Sequence, residues 1–254
     1  SGVIPKEKFI NAINSDTILV SVMAVNNETG IIQPIKLVSN IISKSGSPAL
    51  FHCDAVQAFG KVNLKPQKLG VDLMSISSHK IHGPKGVGAL YIRKGARIVP
   101  LHYGGKQERK IRPGTESLPL ICAFAEAVKA LPNIDDQHEK IEELWNYCKE
   151  KVLEIPNVYI NSPDGVLPYI LNISAVGVRS ETMLHYLAES GIYVSSGSAC
   201  AKGKKSHVLT AMGLSPERID SAIRISFSKF NTKGDIDIFA EKLAEGMKNL
   251  AKSR

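Results

Sequence analysis

The sequence predicts an α/β protein: a three-layer α/β/α domain around a mainly parallel sheet over residues 1–132, then a smaller α+β domain over 133–254. Three observations carry this. Apolar strand-like runs alternate with helix-like ones through the first half, the pattern of βαβ units with helices on the sheet faces. Gly and Pro stops separate the runs. After Pro132 comes a long amphipathic stretch, with Ile134, Ile141, Leu144, Cys148, Val152 and Ile155 at helical spacings, which reads as the crossing between domains.

In chain order, residues 17–25 form a buried strand. Residues 35–44 form a helix opened by Pro34 and stopped by Gly46. Residues 50–53, 71–77 and 88–93 are further strands, the last after a glycine turn. Residues 118–131 form an apolar helix. The remainder reads strand, strand, helix, strand, loop, helix, strand, helix. It includes a strand at 169–174, a helix at 181–189 with Ser180 as N-cap and Gly191 as stop, a strand at 222–227 and a last helix at 236–250.

A chain of 254 residues with 43% hydrophobic residues can build real cores. The net charge of +8 is scattered, with small clusters at 106–112 and 202–205. No long Lys/Arg run or aromatic–basic interleaving is present, so direct nucleic-acid binding is not expected. The four cysteines, Cys53, Cys122, Cys148 and Cys200, form no C-x-x-C pair, which points to free thiols in a reducing cytoplasm. No apolar run reaches transmembrane length, so no membrane role is expected.

The chemistry concentrates in a few segments. Lys80 lies in Ser77-Ser78-His79-Lys80-Ile81-His82-Gly83-Pro84-Lys85-Gly86, just past an apolar strand. An amine desolvated there can lose its proton and attack a carbonyl, as a Schiff-base lysine does. Asp54 ends another strand. It suits the protonated ring nitrogen of an electron-sink cofactor, or equally a helix N-cap, with Gln57 at capping-box spacing. Asn26-Asn27-Glu28-Thr29-Gly30 reads as a turn at a strand's carboxyl end. Gly114 and Thr115, in a glycine-rich polar loop, offer an N–H and a hydroxyl to a phosphate. Cys200 lies among small residues and lysines that favour a thiolate, although an incidental surface thiol has the same surroundings. Arg224 stands on the polar side of its strand, where it can fork onto a carboxylate or simply face solvent. The spacing of His79 and His82 matches no zinc signature.

Five motifs then occur in order: Val-Asn-Asn-Glu-Thr-Gly at 25–30, His-Cys-Asp-Ala-Val-Gln at 52–57, Ser-x-His-Lys-x-x-Gly-Pro-Lys-Gly at 77–86, Gln-Glu-Arg…Arg-x-Gly-Thr-Glu at 107–116 and Ser-Ser-Gly-Ser-Ala-Cys at 195–200. The set resembles the NifS/IscS-type cysteine desulfurases, class V members of the fold-type I pyridoxal-phosphate enzymes. The resemblance implies pyridoxal 5'-phosphate held by Lys80. Asp54 would pair with the ring nitrogen, Asn27 and Gln57 would lie near the ring and substrate, and Ser77 and His79 would hold the phosphate. Thr115 would reach the cofactor phosphate of the partner in a homodimer. Arg224 would take the carboxylate of L-cysteine. Cys200 would attack the substrate sulfur, leaving L-alanine and an enzyme persulfide, with Lys80 shuttling protons. The persulfide would pass to a sulfur-acceptor protein, either an iron–sulfur scaffold or a tRNA-thiolation enzyme.

The family's N-terminal portion, with its own phosphate-binding loop and ring-stacking histidine, has no counterpart here. The expectation is therefore an incomplete large domain with exposed sheet edges or apolar surface and little or no activity of its own. Two other functions fit parts of the pattern. One is a related class V aminotransferase or selenocysteine lyase. The other is a non-catalytic module that docks sulfur acceptors.

Overall fold

The computed structural model describes residues 2–196 and 205–250. It divides into two compact units: Ile4–Ala24 with Gln33–Ile134 form the N-terminal unit, while Val25–Ile32 and the described residues from Asp135 onward, with Gly2 and Val3, form the C-terminal unit. The turn at 26–30 therefore belongs to the C-terminal unit, although it directly follows the first strand.

In the N-terminal unit, helix α1 (Lys6–Ala12) precedes strand β1 (Leu19–Met23), helix α2 (Ile35–Ser45), strand β2 (Leu50–Asp54), the short α3 (Pro66–Leu69), β3 (Leu73–Ser77), β4 (Gly88–Ile92) and α4 (Leu118–Lys129). The sheet order is β1-β2-β3-β4. Strands β1, β2 and β3 are parallel. Val20, Val22, Phe51, Cys53 and Met74 form the buried interior of this sheet. Alternation of buried and exposed positions along β1 follows the two-residue period of its branched side chains. Helix α2 buries Ile35, Val38, Ile41 and Ile42, spaced for one helical face, each contributing roughly 1.5–3 kcal/mol on burial. It ends at Gly46, whose φ of 70° is left-handed. Asp72 ties the start of β2 to the end of β4: its Oδ2 accepts from the Phe51 amide at 2.8 Å and its Oδ1 meets Arg93 Nε at 2.5 Å.

One strand departs from the parallel pattern. β4 runs antiparallel to β3, because the link between them, residues 78–87, falls short of the dozen or more residues that a parallel crossover needs. Among the described strands β4 is an edge. Leu90 on β4 is exposed, and α4, although apolar, buries only Phe124 while Leu118 and Ile121 face outward. This is the uncovered apolar surface that the sequence leads one to expect.

The C-terminal unit carries α5 (Ile134–Leu153), β5 (Val158–Ile160), β6 (Ile170–Ala175), α6 (Ser180–Glu189), β7 (Ser195–Ser196), α7 (His207–Ala211), α8 (Pro216–Asp220), β8 (Ala222–Ser226) and α9 (Lys233–Asn249). Its sheet has the order β5-β6-β8-β7 and is antiparallel throughout. Every residue of β6 is buried. Helix α5 packs Ile141, Leu144, Trp145, Cys148 and Val152 inward, and Trp145 Nε1 donates to the Ile170 carbonyl at 3.0 Å. Helices α6 and α9 meet where Met183 and Tyr186 lie against Gly246.

Two local expectations are corrected. Arg179, not Ser180, is the N-cap of α6; it is extended, Ser180 is already the first helical residue, and no side chain caps this end. The single helix expected before β8 is two short ones, α7 and α8. Gly213, with a φ of 80°, ends the first, and Pro216 opens the second. Each has a serine N-cap, Ser206 and Ser215.

Candidate functional site

In the N-terminal unit the expected cofactor residues gather at the carboxyl ends of β2 and β3, where ligands collect in parallel sheets. Asp54 is the last residue of β2 and pairs in register with Ser75 of β3. Its Oδ1 accepts from the Val56 amide at 2.9 Å. This is the side chain of an Asx turn; a series of turns follows here, with no capping-box helix. Gln57 lies half-buried in those turns.

Beyond Ser77 the chain makes a 3-10 turn, Ser78–Ile81, that carries His79 and Lys80, and His82 leaves it with a φ of 64°. Glycines make this possible. A Cβ on Gly83 would stand 2.1 Å from Ser78 Oγ, and one on Gly88 would stand 2.6 Å from the Ile76 carbonyl oxygen. Ser77 Oγ and His79 Nδ1 are 2.7 Å apart. Desolvation, then Lys80 and Lys85, lower the pKa of His79 below its usual value, so its ring is neutral at pH 7. Lys61, half-buried in the turns after β2, is driven down to about 8, first by burial and then by the charge of Lys80. Thr115 stands exposed in the loop before α4, next to Gly114 with its φ of 114°.

Two of the thiols are held in their protonated form. Burial, with Asp54 adding to it, pushes Cys53 up to about 12, and burial alone does the same to Cys148. Neither is a nucleophile near neutral pH. Cys200 lies outside the described residues.

In the C-terminal unit the structure brings Asn27 and Arg224 together. Asn26 Oδ1 closes the turn by accepting from the amides of Glu28 and Thr29 and from Thr29 Oγ1, and Gly30 completes it with a φ of 78°. Asn27 is thereby presented half-buried. Arg224, on β8 opposite Asn172 and Ser195, donates Nη1 to the Asn27 carbonyl at 3.0 Å and Nη2 to Ser195 Oγ at 3.1 Å. It is an oriented, half-buried guanidinium, not a surface arginine.

Two residues stand out only in the structure. Lys61 gives no sequence signal, because its burial depends on how the turns after β2 fold. Glu28 is hidden within a turn motif, yet it is 1% exposed and accepts from Ser206 Oγ at 2.6 Å. The serine before His-Val-Leu, an N-cap signature, was the one available hint.

The Aminotransferase class-V family model matches residues 1–239. The cysteine desulfurase IscS of Methanosarcina thermophila is 41% identical over 98% of this chain. A solved NifS-like protein superposes with a TM-score of 0.90 at 39% identity over 98% of the chain, and a NifS-like protein from Rickettsia africae with a TM-score of 0.87 at 35% identity over the same share. The chain spans 62% of the length of the Methanosarcina relative, and 66% and 68% of the two solved chains. A family model that runs through nearly the whole chain, with close structural likeness to NifS-like proteins, shows that this chain belongs to the class V aminotransferase family, beside the IscS- and NifS-like cysteine desulfurases.

Proposed function

We propose that the protein serves pyridoxal-phosphate-dependent cysteine desulfuration, taking sulfur from L-cysteine to give L-alanine and a persulfide on Cys200. The observation that carries this reading is the identity to IscS- and NifS-like proteins along the whole chain, combined with the Lys80 cluster. The residues present suit the cofactor. Lys61, Lys80 and Lys85 bring positive charge near the end of the sheet, Ser77 and His79 are linked beside them, and Asp54 ends the neighbouring strand. This donor set fits an anionic aldehyde with a basic ring nitrogen.

When bound, the cofactor supplies an electron sink for the substrate carbanion. The protein's own groups do the rest. Lys80 would hold the cofactor through its amine, and that amine would also carry protons. Ser77 and His79 bind the phosphate, with Thr115 serving the cofactor of a second protomer. Asp54 keeps the ring nitrogen protonated. Asn27 and Gln57 line the ring and substrate, and Arg224 takes the substrate carboxylate. The Cys200 thiolate attacks the cysteine sulfur, and the carbon–sulfur bond breaks as alanine leaves. On this reading the protein is a cytoplasmic homodimer that passes sulfur to an acceptor protein, an iron–sulfur scaffold or a tRNA-thiolation enzyme.

Borohydride reduction of the protein with pyridoxal phosphate, followed by peptide mass spectrometry, tests the reading together with assay of alanine and sulfide from L-cysteine. The adduct is expected on Lys80 and absent in Lys80→Ala. An adduct that forms at another lysine in that variant overturns the assignment. Sulfur release that persists in Cys200→Ser favours another class V activity, such as a lyase or aminotransferase.

A further inference from the structure

Glu28 has no part in the chemistry above, yet its carboxyl is buried. Burying such a group is unfavourable unless it is paired. The turn does not need it, since Asn26 and Gly30 close that turn. What the carboxyl reaches is Ser206, 178 residues on in the chain, whose hydroxyl donates to Glu28 Oε2 at 2.6 Å. The same hydroxyl accepts from the Leu209 amide at 3.1 Å and so caps α7. Glu28 thus orients the serine whose lone pair holds the helix end.

The neighbouring residue does the equivalent on the other side. The Asn27 carbonyl accepts from Arg224, and Arg224 also donates to Ser195 on β7. Ser195 and Ser206 flank the segment that carries Cys200. The turn to which both are joined is itself held fast. The Thr29 carbonyl accepts from Ser162 Oγ at 2.8 Å, the Gly30 carbonyl from the Leu167 amide at 2.9 Å, and the Glu28 carbonyl from Asn172 Nδ2 at 3.1 Å.

We propose that Glu28 is a positioning residue for sulfur transfer: through Ser206, and alongside the Asn27–Arg224–Ser195 link, it ties both flanks of the Cys200 segment to one rigid turn. Ser195 and Ser206, the described residues on either side of that segment, are thus joined to the turn that also holds Arg224. The catalytic meaning of this tie rests on the desulfurase reading, whereas the anchoring does not.

The test measures alkylation of Cys200 by iodoacetamide, without substrate or cofactor, against the exposed Cys122 as internal reference. Peptide mass spectrometry reads each thiol, and hydrogen exchange reads the α7 amides. In Glu28→Ala and Ser206→Ala the Cys200/Cys122 ratio is expected to rise about three- to tenfold, the equivalent of one lost hydrogen bond, with matching loss of α7 protection. Glu28→Gln, which keeps an acceptor oxygen for Ser206, restores both. Thr232→Ala removes the N-cap of α9 in the same unit and should move neither. An unchanged ratio in both Glu28→Ala and Ser206→Ala, or an equal change in Thr232→Ala, overturns the proposal. If borohydride traps no pyridoxal-phosphate adduct on Lys80 in the wild type, the desulfurase reading fails while these ratios still decide the anchoring.

Discussion

Lys61 is brought down to about 8 by its burial in the N-terminal unit and, after that, by the positive charge of Lys80. Its folded pKa is lowered from 10.5, so the unfolded chain binds more protons than the folded one between those values. Stability is therefore expected to rise from about pH 8 to pH 10.5. At pH 7 the buried ammonium costs roughly 2 kcal/mol after allowance for relaxation. Lys61→Met should raise unfolding stability at pH 7 by about 1–2 kcal/mol and flatten the rise above pH 8. Urea titrations at pH 7 and 9.5 check this; an unaltered pH slope in the variant would show that Lys61 is solvated.

Gly246 offers a sign test of packing in the C-terminal unit. Glycine to alanine inside an exposed helix normally stabilises by about 0.5–1 kcal/mol. Here the new Cβ would stand 2.7 Å from Met183 Sδ and 3.0 Å from both Met183 Cε and Tyr186 Cδ1. Met183 is fully buried and has little room to retreat. The crowding should win, so Gly246→Ala is expected to destabilise by about 1–2 kcal/mol. Combining it with Met183→Ala, which clears the space, should reverse the sign of the glycine substitution. Chemical denaturation of the four combinations measures that coupling.

What could be read from the sequence follows from how local each feature is. The strand ending at Ser77 and its glycine turn are visible because apolar runs and Gly-Pro stops act over a few residues. The two faces of β8 are visible because side chains alternate, which put Arg224 opposite the apolar row. The antiparallel direction of β4 cannot be read from its own residues, because direction depends on linker length as well as on strand pattern. Lys61 and Glu28 were missed for a stronger reason. Glu28 meets Ser206 far along the chain, and the burial of Lys61 depends on how the turns after β2 fold. Thr115 has no described partner in the exposed loop before α4, so its role rests on resemblance alone.

The cysteines should sort themselves by environment. Cys53 and Cys148, both at about 12, hold only about one thiolate in ten thousand at pH 8, and both are sealed in their cores. Cys122 is exposed on α4. Native alkylation at pH 8 should label Cys122 at least about a hundredfold faster than either buried thiol, with Cys53 and Cys148 reacting only in denaturant. Native labelling of Cys148 at the rate of Cys122 would mean that the α5 core opens readily.

Arg224 uses two nitrogens on two different acceptors, the Asn27 carbonyl and the Ser195 hydroxyl. Lysine keeps the charge but presents it at a point, so it cannot hold both acceptors and still face a carboxylate. A charge-assisted hydrogen bond contributes about 1.5–3 kcal/mol. Arg224→Lys is therefore expected to weaken L-cysteine binding by about tenfold or more. The effect should fall mainly on KM, because a carboxylate clamp acts on bound substrate and transition state alike. Borohydride-trapped cofactor on Lys80 should be unaffected, since the arginine is assigned to the substrate carboxylate and not to the cofactor. Loss of the Lys80 adduct in Arg224→Lys would assign the arginine to cofactor binding, and an unchanged KM would remove it from substrate binding altogether.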